Sequence, residues 1–391
     1  MNPPLRVLQI LGGLGMGGAE TWLMELLRHW SASGTVQLDF LLTGGQCERF
    51  DGRALQLGAR LHYLPYRRQQ LARFTPAFRR LLRQGRYDAL HDHADYAAGW
   101  HLALAAGRLP PVRVVHVHNP RLHIEASYAI SPLRRLTAAG GKRLVQRLAS
   151  HVCGTSAAIL PLYGFHSGRA RGPRVAAVPC GFPIDRFHAP RAADRRRVLA
   201  EFGWPADIQL ALHAGRLDQA LACPHPRNHK NTWLVLTIAR LAALREPRFR
   251  LLLVGDGPSR SALQQVVQAW GLADRLRLIG IREDLPRLMR AADALLFPSA
   301  QEGLGMVAVE AQAAGLPVLA SRAVPAEAIV VPHLYEALPL TAAPELWALR
   351  LLALLQRPRP DLPPDRALVA ASPFNLSASA AALEAIYRSG R

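Results

Sequence analysis

The sequence predicts an α/β protein built from two domains, each with a parallel sheet. A chain of 391 residues is longer than one hydrophobic core usually serves. Half of the residues are hydrophobic, so two cores can be filled. Short runs rich in Val, Leu and Ile alternate with longer stretches of helical pattern, which is typical of βα units whose sheets are covered on both faces.

The apolar runs predict two series of strands separated by a linker. In the first half these strands are 6–11, 36–42, 59–64, 89–92, 112–117 and 152–155, and in the second half 210–214, 251–254, 276–279, 294–297 and 317–321. The Pro- and Arg-containing segment 179–197 lies between the series and predicts a boundary after residue 185. We therefore expect domains at 1–185 and 186–372. A loop at 356–364 precedes a last helix at 377–387, and we expect segment 373–391 to return to the N-terminal domain.

The formal net charge of +20 allows a nucleic-acid partner, a membrane partner or a solvated basic surface. Nearly all basic residues are Arg, with Lys only at Lys142 and Lys230, and they are spread along the chain. This distribution favours a solvated surface. A basic nucleic-acid-binding module is disfavoured because neither aromatic interleaving nor zinc-finger spacing is present.

No apolar run approaches the roughly 20 residues that span a bilayer, and the run before the first glycines is too short for a signal-peptide core. We expect a cytoplasmic protein. The four cysteines lie far apart without a CxxC pair, so reduced thiols are expected.

A glycine-rich segment follows the first predicted strand and precedes an amphipathic stretch at 21–30. It reads Gly12-Gly-Leu-Gly-Met-Gly-Gly-Ala-Glu20. Glycines let the backbone approach a ligand, and the amides that open a helix attract phosphate. The spacing also satisfies G-x-G-x-x-G, with Asp39 following Gly18 at about the distance that a dinucleotide site requires. A dehydrogenase therefore stays open as an alternative, as does a turn that binds nothing.

A second set of candidate phosphate residues lies in the second half. Gly255 follows a strand in Val-Gly-Asp-Gly-Pro, and Arg216 and Lys230 flank another strand end. Arg binds a diphosphate as a fork and Lys as a point charge. Because Lys is so rare in this chain, Lys230 is a candidate ligand rather than general surface charge. This second set disfavours the dehydrogenase.

Two glutamates flank a further glycine-rich turn. Glu302 precedes a helix predicted to begin near Leu304, and Glu310 lies further along it. If the whole spacing were helical, the glutamates would be roughly 12 Å apart, which suits the two ends of an extended nucleotide sugar. The helix N-terminus would face the diphosphate. A pair of surface glutamates is the alternative.

Two histidine pairs end neighbouring predicted strands, His91 with His93 and His116 with His118. Alternate residues share one face of a strand, so each pair resembles a set of metal ligands. A hydrolytic metal site would add carboxylates, and only Asp92 and Asp95 lie nearby in sequence. Lining of an acceptor site and simple packing are the other two interpretations.

The ordered motifs GGxxxGGAE, GRL with KN downstream, VGDGPxR, AAD-x-x-x-FPS and EG-x-x-x-x-x-x-E followed by AAGLPV resemble the family 4 retaining glycosyltransferases of the GT-B fold. The resemblance covers nearly the whole chain and is most specific at 251–321. The histidine segments look like the branch that builds bacterial exopolysaccharide or capsule. The resemblance implies two Rossmann-like domains with parallel sheets facing across a cleft.

The same resemblance implies a role for each matching residue. Glu302 matches the residue that contacts donor-sugar hydroxyls, Glu310 matches the one that holds the ribose, and His118 matches a histidine near the donor sugar. Arg216 and Lys230 match the pair that neutralises the leaving diphosphate. The predicted catalytic residues are His118, Glu302, Arg216 and Lys230. The predicted donor-binding residues are Gly17, Gly18, Arg216, Lys230, Gly255, Glu302, Gly303, Leu304, Gly305 and Glu310.

We therefore expect transfer of a sugar from a UDP- or GDP-sugar to a saccharide or lipid-linked acceptor, with retention and without a metal or other cofactor. No DxD motif is present. A GT-B nucleotide-sugar epimerase is the main alternative, and a basic nucleotide-binding module without transferase activity is a weaker one. Two departures from the family pattern are the longer segment 218–229 and Cys180, which stands where many relatives have Asn.

One N-terminal segment combines arginines with apolar residues at helical spacing. Phe78, Leu81 and Leu82 follow Pro76 at this spacing. The pattern predicts either a helix lying on an anionic membrane, at the inner face of the cell membrane, or a surface helix packed on its own sheet. The arginines of the segment are Arg67, Arg68, Arg73, Arg79, Arg80, Arg83 and Arg86.

Overall fold

The computed structural model describes residues 3–119, 131–168, 172–217 and 229–390. The chain divides into unit 1, Met1–Phe182 with Pro373–Arg391, and unit 2, Pro183–Ser372. The chain passes from unit 1 to unit 2 between residues 182 and 183, whereas the sequence predicted this boundary between 185 and 186. It returns to unit 1 between residues 372 and 373. Of the longer segment 218–229, residues 218–228 lie outside the described residues, and Cys223 is among them.

Unit 1 contains a seven-stranded parallel sheet of order β3-β2-β1-β4-β5-β6-β7. The strands are β1 Leu5–Leu11, β2 Val36–Leu42, β3 Arg60–Tyr63, β4 Ala89–Asp92, β5 Val112–Val117, β6 His151–Gly154 and β7 Arg174–Ala177. The helices before the crossing are α1 Gly18–Ser33, α2 Asp51–Gln56, α3 Leu71–Gly85, α4 Ala97–Leu104, α5 Pro132–Leu148 and α6 Ile159–Leu162.

Unit 2 contains a six-stranded parallel sheet of order β10-β9-β8-β11-β12-β13. The strands are β8 Gln209–Ala214, β9 Phe249–Val254, β10 Leu276–Gly280, β11 Ala294–Phe297, β12 Val318–Ser321 and β13 Tyr335–Leu338. The helices are α7 Arg191–Phe202, α8 Thr232–Arg245, α9 Arg260–Ala269, α10 Leu285–Ala291, α11 Met306–Ala313, α12 Pro344–Leu355 and α13 Arg366–Ala370. The chain then re-enters unit 1 as α14, Leu376–Arg388.

The central strands are continuous apolar runs because both faces of each sheet are covered. β8 is buried along its whole length, and so are all residues of β1 except Arg6. In each sheet the strand order reverses at one point, between β1 and β4 in unit 1 and between β8 and β11 in unit 2. Ligands of doubly wound sheets bind outside the carboxyl ends of the strands at such a reversal. The segments that follow β1, β4, β8 and β11 are therefore the expected ligand-binding segments.

The predicted α/β fold class is confirmed, and the differences are local. The sequence did not predict β7 or β13, whose residues are half-buried or exposed and so lack a long apolar run. Helix α11 begins at Met306, two residues after the predicted start near Leu304, and Gly305 before it adopts a left-handed conformation with φ of 90°. Cys47, Cys153 and Cys180 are free thiols, as expected. No described helix is long and apolar enough to cross a membrane.

The apolar side of the Arg-rich helix α3 packs inside unit 1. Phe74, Phe78 and Leu82 lie in the core with Tyr87 and Leu90, and Phe78 has no exposed surface. The hypothesis that this apolar stripe inserts into a membrane is therefore wrong, because the stripe is already covered. The arginines of α3 are exposed, so any contact with a membrane would depend on their charge.

Candidate functional site

In unit 2, the segments after β8 and β11 lie on either side of the strand-order reversal. The loops after β8 and β9 are held together by backbone hydrogen bonds from Gly215 to Val254 and from Leu217 to Asp256, at 3.0 and 2.9 Å. Gly255 has φ of 132°, and a Cβ there would collide with the carbonyl of Gly215. A side chain at position 255 would therefore disturb the turn that carries Arg216, so Gly255 is needed for the structure of this turn whether or not it contacts the donor.

Lys230 and Glu302 form an ion pair at this edge. The Nζ atom of Lys230 lies 2.6 Å from Oε1 of Glu302 and 5.2 Å from the ring centre of Phe297, at the end of β11. The two side chains are 21% and 9% exposed, so the pair is largely shielded from water. The hydroxyl of the fully buried Ser299 also contacts the Glu302 carboxylate. Two predicted site residues that are 72 positions apart in sequence are thus in direct contact.

The local backbone aims Lys230 at this edge. Asn231, the residue that precedes α8, has φ of 52° and ψ of 44°, a left-handed conformation that Asn tolerates better than most residues. Its side chain is fully buried and has no hydrogen-bond partner among the described residues. Arg216 is exposed after the end of β8, on the same edge of the sheet.

The glycine-rich turn after β11 leads directly into α11. Gly303, Leu304 and Gly305 are buried between Glu302 and the first residue of the helix. The first amides of any helix lack partners within it and favour an anion. Glu310 lies within α11 and is half-buried. Burial raises the pKa of its carboxyl to about 7.

In unit 1, the glycine-rich segment after β1 leads into the 16-residue helix α1. Gly17 caps this helix and Gly18 is its first residue, as an anion site requires. Two carboxylates lie against the same turn. The carboxylate of Glu20 lies where a Cβ on Gly17 would be, and that of Glu48 lies where a Cβ on Gly13 would be. An anionic ligand that approached these amides would have to displace or neutralise these carboxylates.

Asp39 does not serve the dehydrogenase alternative. It lies within β2 and is 1% exposed. Its carboxylate accepts a hydrogen bond from the hydroxyl of Tyr87 at 2.9 Å and lies 3.9 Å from a guanidinium nitrogen of Arg6. An acidic residue that binds a ribose would have to present its oxygens to the ligand, whereas those of Asp39 are used inside unit 1.

The four histidines meet at the carboxyl ends of β4 and β5. His93 Nδ1 lies 2.8 Å from His118 Nε2, and His91 Nε2 lies 3.2 Å from His116 Nδ1. His91 and His116 are fully buried, whereas His93 and His118 are half-buried. Burial lowers the pKa of all four, that of His118 to about 4, so the rings are neutral near pH 7. The ligand atoms of His91, His93 and His116 lie within 4.8 Å of one another, a spacing that could hold a metal ion.

Some contributors to these sites had not been assigned a role from the sequence. Ser299 and Phe297 support the Lys230–Glu302 pair, and both belong to the Phe-Pro-Ser motif that was noted only as part of the resemblance. Gln9 and Tyr387 contact the histidines. Neither belongs to a recognisable motif, so no sequence signal could have found them.

Two doubly wound α/β units, each with polar residues at the strand-order reversal, form an arrangement that occurs in many classes of nucleotide-binding enzyme. The model of the family described as "Glycosyl transferases group 1" matches residues 220–357. The "Glycosyl transferase 4-like domain" model matches residues 17–181. EpsF of Bacillus subtilis strain 168, which is assigned as a glycosyltransferase, is 33% identical over 326 residues, covering 81% of this chain and 79% of that protein.

The chain therefore belongs to the family 4 glycosyltransferases and is a glycosyltransferase. A D-inositol 3-phosphate glycosyltransferase of Thermobispora bispora is 30% identical over 321 residues, covering 78% of this chain and 71% of that protein. These relatives are transferases, so they do not support the epimerase alternative. The roles of the individual site residues remain predictions.

Solved structures confirm the GT-B fold. Anabaena HepE in complex with UDP and glucose superimposes with a TM-score of 0.73 at 19% identity, covering 98% of this chain and all of that chain. WaaG, a glycosyltransferase of lipopolysaccharide biosynthesis, superimposes with a TM-score of 0.70 at 18% identity, covering 97% and 99%. At these identities the similarity shows the fold alone.

Proposed function

We propose that this chain transfers a sugar from a nucleoside diphosphate donor to a saccharide or lipid-linked saccharide, with retention of anomeric configuration and without a metal ion. The observation that carries the proposal is the Lys230–Glu302 pair at the carboxyl edge of the unit 2 sheet. A cation and a carboxylate side by side at this place suit a donor that carries a diphosphate next to sugar hydroxyls.

Glycosyl transfer builds negative charge on the departing diphosphate. Lys230 and Arg216 supply fixed positive charge where the resemblance assigns the diphosphate, and the first amides of α11 add their dipole. These groups would perform the neutralisation for which many transferases use a divalent cation. This role in the transition state supports a metal-independent reaction.

Glu302 suits recognition of sugar hydroxyls better than covalent attack. Its carboxylate contacts Lys230 and Ser299, which lower its nucleophilicity and fix its orientation. A carboxylate held in this way can still accept hydrogen bonds from two hydroxyls. Retention would then proceed by attack on the face that the diphosphate leaves, without a glycosyl–enzyme intermediate.

Glu310 suits the ribose of the donor. An ionised carboxylate accepts hydrogen bonds from the 2′ and 3′ hydroxyls, whereas a protonated one accepts fewer. The raised pKa of Glu310 means that the protein holds this group near the midpoint of its titration at pH 7. Binding of a ribose would favour the ionised form.

The acceptor and the pathway rest on the resemblance to exopolysaccharide and capsule transferases and on the similarity to EpsF. We propose that the acceptor belongs to a bacterial surface polysaccharide and that the enzyme works in the cytoplasm at the inner membrane face. Because the apolar side of α3 is buried, the proposed membrane contact uses the exposed arginines of this helix and anionic headgroups.

A panel of nucleotide sugars tests the proposal. Saturation-transfer NMR with UDP- and GDP-sugars should show contacts to the base, ribose and sugar of one donor. Turnover with that donor and a saccharide acceptor should give a product with the donor's anomeric configuration, which proton NMR measures directly. Inversion would exclude the retaining mechanism. A donor converted to an epimer without any acceptor would exclude the transferase.

A further inference from the structure

Four histidines of unit 1 each turn one ring nitrogen toward another imidazole. Along each strand end the rings lie side by side, with ring centres 4.3 Å apart for His91 and His93 and also for His116 and His118. Between the strands, His91 Nε2 faces His116 Nδ1 at 3.2 Å, and His93 Nδ1 faces His118 Nε2 at 2.8 Å. These four facing atoms are called the inner nitrogens, and the other nitrogen of each ring is called the outer nitrogen. The carboxyl edge of the sheet thus gathers four inner nitrogens in one small space.

The spacing of the inner nitrogens fits a tetrahedral metal ion. Imidazole nitrogens bind zinc at about 2.0–2.1 Å, so two of them on one ion lie about 3.3 Å apart. The 3.2 Å between His91 and His116 is close to this value. A ring nitrogen of each of His91, His93 and His116 lies within 4.8 Å of the other two. Small ring movements would therefore bring three histidines onto one ion, with His118 beside the fourth position.

Two outer nitrogens have partners that suit a metal site. A histidine that binds a metal through one nitrogen carries its proton on the other, and an acceptor for this proton orients the ring. The outer nitrogen of His91 lies 2.6 Å from the hydroxyl oxygen of Tyr387, and that of His93 lies 2.8 Å from Oε1 of Gln9. The outer nitrogen of His116 is buried without a hydrogen-bond partner among the described residues. Metal binding needs only that each inner nitrogen of a ligand presents its lone pair, whichever nitrogens carry the protons in the metal-free protein.

The rings are also held in place by packing. Trp22 of α1 is 2% exposed and lies against His93, His116 and His118, with ring centres 6.3, 5.3 and 6.1 Å away. Rings that are already fixed lose little conformational entropy when they bind an ion. Because His93 and His118 are half-buried, an ion can reach the inner nitrogens from their side.

The carboxylates next to the histidines in sequence have other partners. Asp92 lies 2.7 Å from His101 Nδ1. Asp95 accepts hydrogen bonds from Tyr163 and Asn119. The ligands that the described residues offer here are therefore imidazoles. Imidazole suits Zn²⁺ and similar transition-metal ions, whereas Mg²⁺ and Ca²⁺ prefer oxygen ligands.

We propose that these histidines form a binding site for a divalent transition-metal ion of the zinc class, with His91, His93 and His116 as ligands and His118 at the fourth position. The site goes beyond the proposed transfer, in which residues of unit 2 neutralise the diphosphate without a metal. An ion at this site engages the ring that the proposed function assigns to the donor sugar. Zinc should therefore inhibit the transferase, and this consequence alone rests on the proposed function.

Zinc binding to the full-length protein, without a histidine tag, tests the site. Calorimetry with Zn²⁺ alone should show one tight site per chain. X-ray absorption of the loaded protein should show nitrogen ligands at about 2.0–2.1 Å, with the scattering of three or four imidazoles. Mg²⁺ should not displace the zinc. The absence of a tight site, or zinc surrounded mainly by oxygen, would overturn the proposal.

Three variants connect the binding to the cluster. His93→Gln removes a ligand and should lower zinc affinity by more than about a hundredfold, because loss of an outer partner alone costs about 10–100-fold. Tyr387→Phe removes the outer partner of His91, should lower the affinity about tenfold, and serves if His93→Gln does not fold. His333→Gln is the matched control. His333 belongs to unit 2, is 62% exposed and lies 3.3 Å from Asp365, so it represents a surface pair that could bind zinc adventitiously.

The control should leave the tight site unchanged. Unchanged affinity in both the His93 and the Tyr387 variants, or an equal loss in the His333 variant, would overturn the proposal. Binding is measured without donor or acceptor, so its outcome does not depend on the proposed transfer. In initial-rate assays zinc should inhibit over the concentration range in which it binds. Binding without inhibition would uphold the site and contradict the part of His118 in the transfer.

Discussion

Replacement of Lys230 by Ala is the most direct test of the unit 2 site. The substitution removes the cation 2.6 Å from Glu302 and leaves Ser299 as the hydrogen-bond partner of this carboxylate among the described residues. It should also remove a positive charge from the place where the leaving diphosphate is expected. Stability and catalysis are therefore both affected, and their magnitudes can be estimated separately.

The stability term follows from the geometry of the pair. At 2.6 Å and an effective dielectric constant of about 20, the Coulomb attraction is about 6 kcal/mol. Desolvation offsets most of it, and breaking a buried pair costs about 3–5 kcal/mol. Because Lys230 keeps 21% of its side chain exposed, we expect a loss of about 2 kcal/mol in the free energy of unfolding of unit 2. For a unit of this size the melting temperature should fall by about 4–8 °C.

The catalytic term should be larger. Loss of one group that stabilises charge in a transition state lowers kcat by about 10²–10³, or about 3–4 kcal/mol. Initial rates with the identified donor, measured at least 15 °C (about twice the expected shift) below the melting temperature of the variant, separate this loss from unfolding. Lys142→Ala is the matched control, since Lys142 is the only other lysine and lies on α5 of unit 1. A folded Lys230→Ala variant with kcat within about threefold of the unchanged enzyme would refute the assignment, because one transition-state contact should exceed this effect.

Four further predictions concern the same molecule. Glu302→Gln should lower turnover while calorimetry still detects normal binding of nucleoside diphosphate, whereas Glu310→Gln should weaken that binding; equal losses would contradict the division of roles. Burial raises the pKa of Glu310 to about 7, so the folded protein binds this proton more tightly than the unfolded chain does. Glu310 should therefore contribute to the free energy of unfolding at low pH, and this contribution should be lost as the pH rises through about 7. Affinity for nucleoside diphosphate should rise over the same range as the carboxylate ionises, relative to Glu310→Gln; parallel pH profiles would count against a ribose contact. Activity should persist in excess chelator, and a loss that Mg²⁺ or Mn²⁺ restores would exclude the metal-free mechanism. The protein should sediment with acidic vesicles at low salt only, and Arg80→Glu with Arg83→Glu should weaken this sedimentation; recovery in the supernatant under every condition would remove the membrane contact from the proposal.

The fold could be predicted because strands and helices are marked by patterns among residues that are close together in the sequence. Strands β2, β4, β5 and β11 have the predicted limits, since most residues of each strand are buried and short apolar stretches mark them in the sequence. Strand β13 was missed for the same physical reason. It lies at the edge of its sheet and none of its residues is fully buried, so no apolar run marks it.

The contacts of the candidate sites could be predicted only where a family motif supplied them. The sequence indicated that Lys230 and Glu302 would both serve one donor, and the structure shows that they form an ion pair. The contact between His91 and Tyr387 joins residues 296 positions apart. Helix periodicity and strand alternation describe neighbours within one element, so they contain no information about such a pair.

Both units carry polar residues at the carboxyl edge of a parallel sheet, but the charges of these residues differ between the units. In unit 2 the edge carries the Lys230–Glu302 pair together with the exposed Arg216. In unit 1 the histidines are neutral, because burial lowers their pKa values, and the turn that opens α1 has Glu20 and Glu48 against it. In the proposed reaction, the positive charge that faces the diphosphate is therefore expected from Arg216 and Lys230 of unit 2. The histidines of unit 1 can contribute hydrogen bonds but not charge, so substitutions there should alter the choice among sugars more than the binding of nucleoside diphosphate.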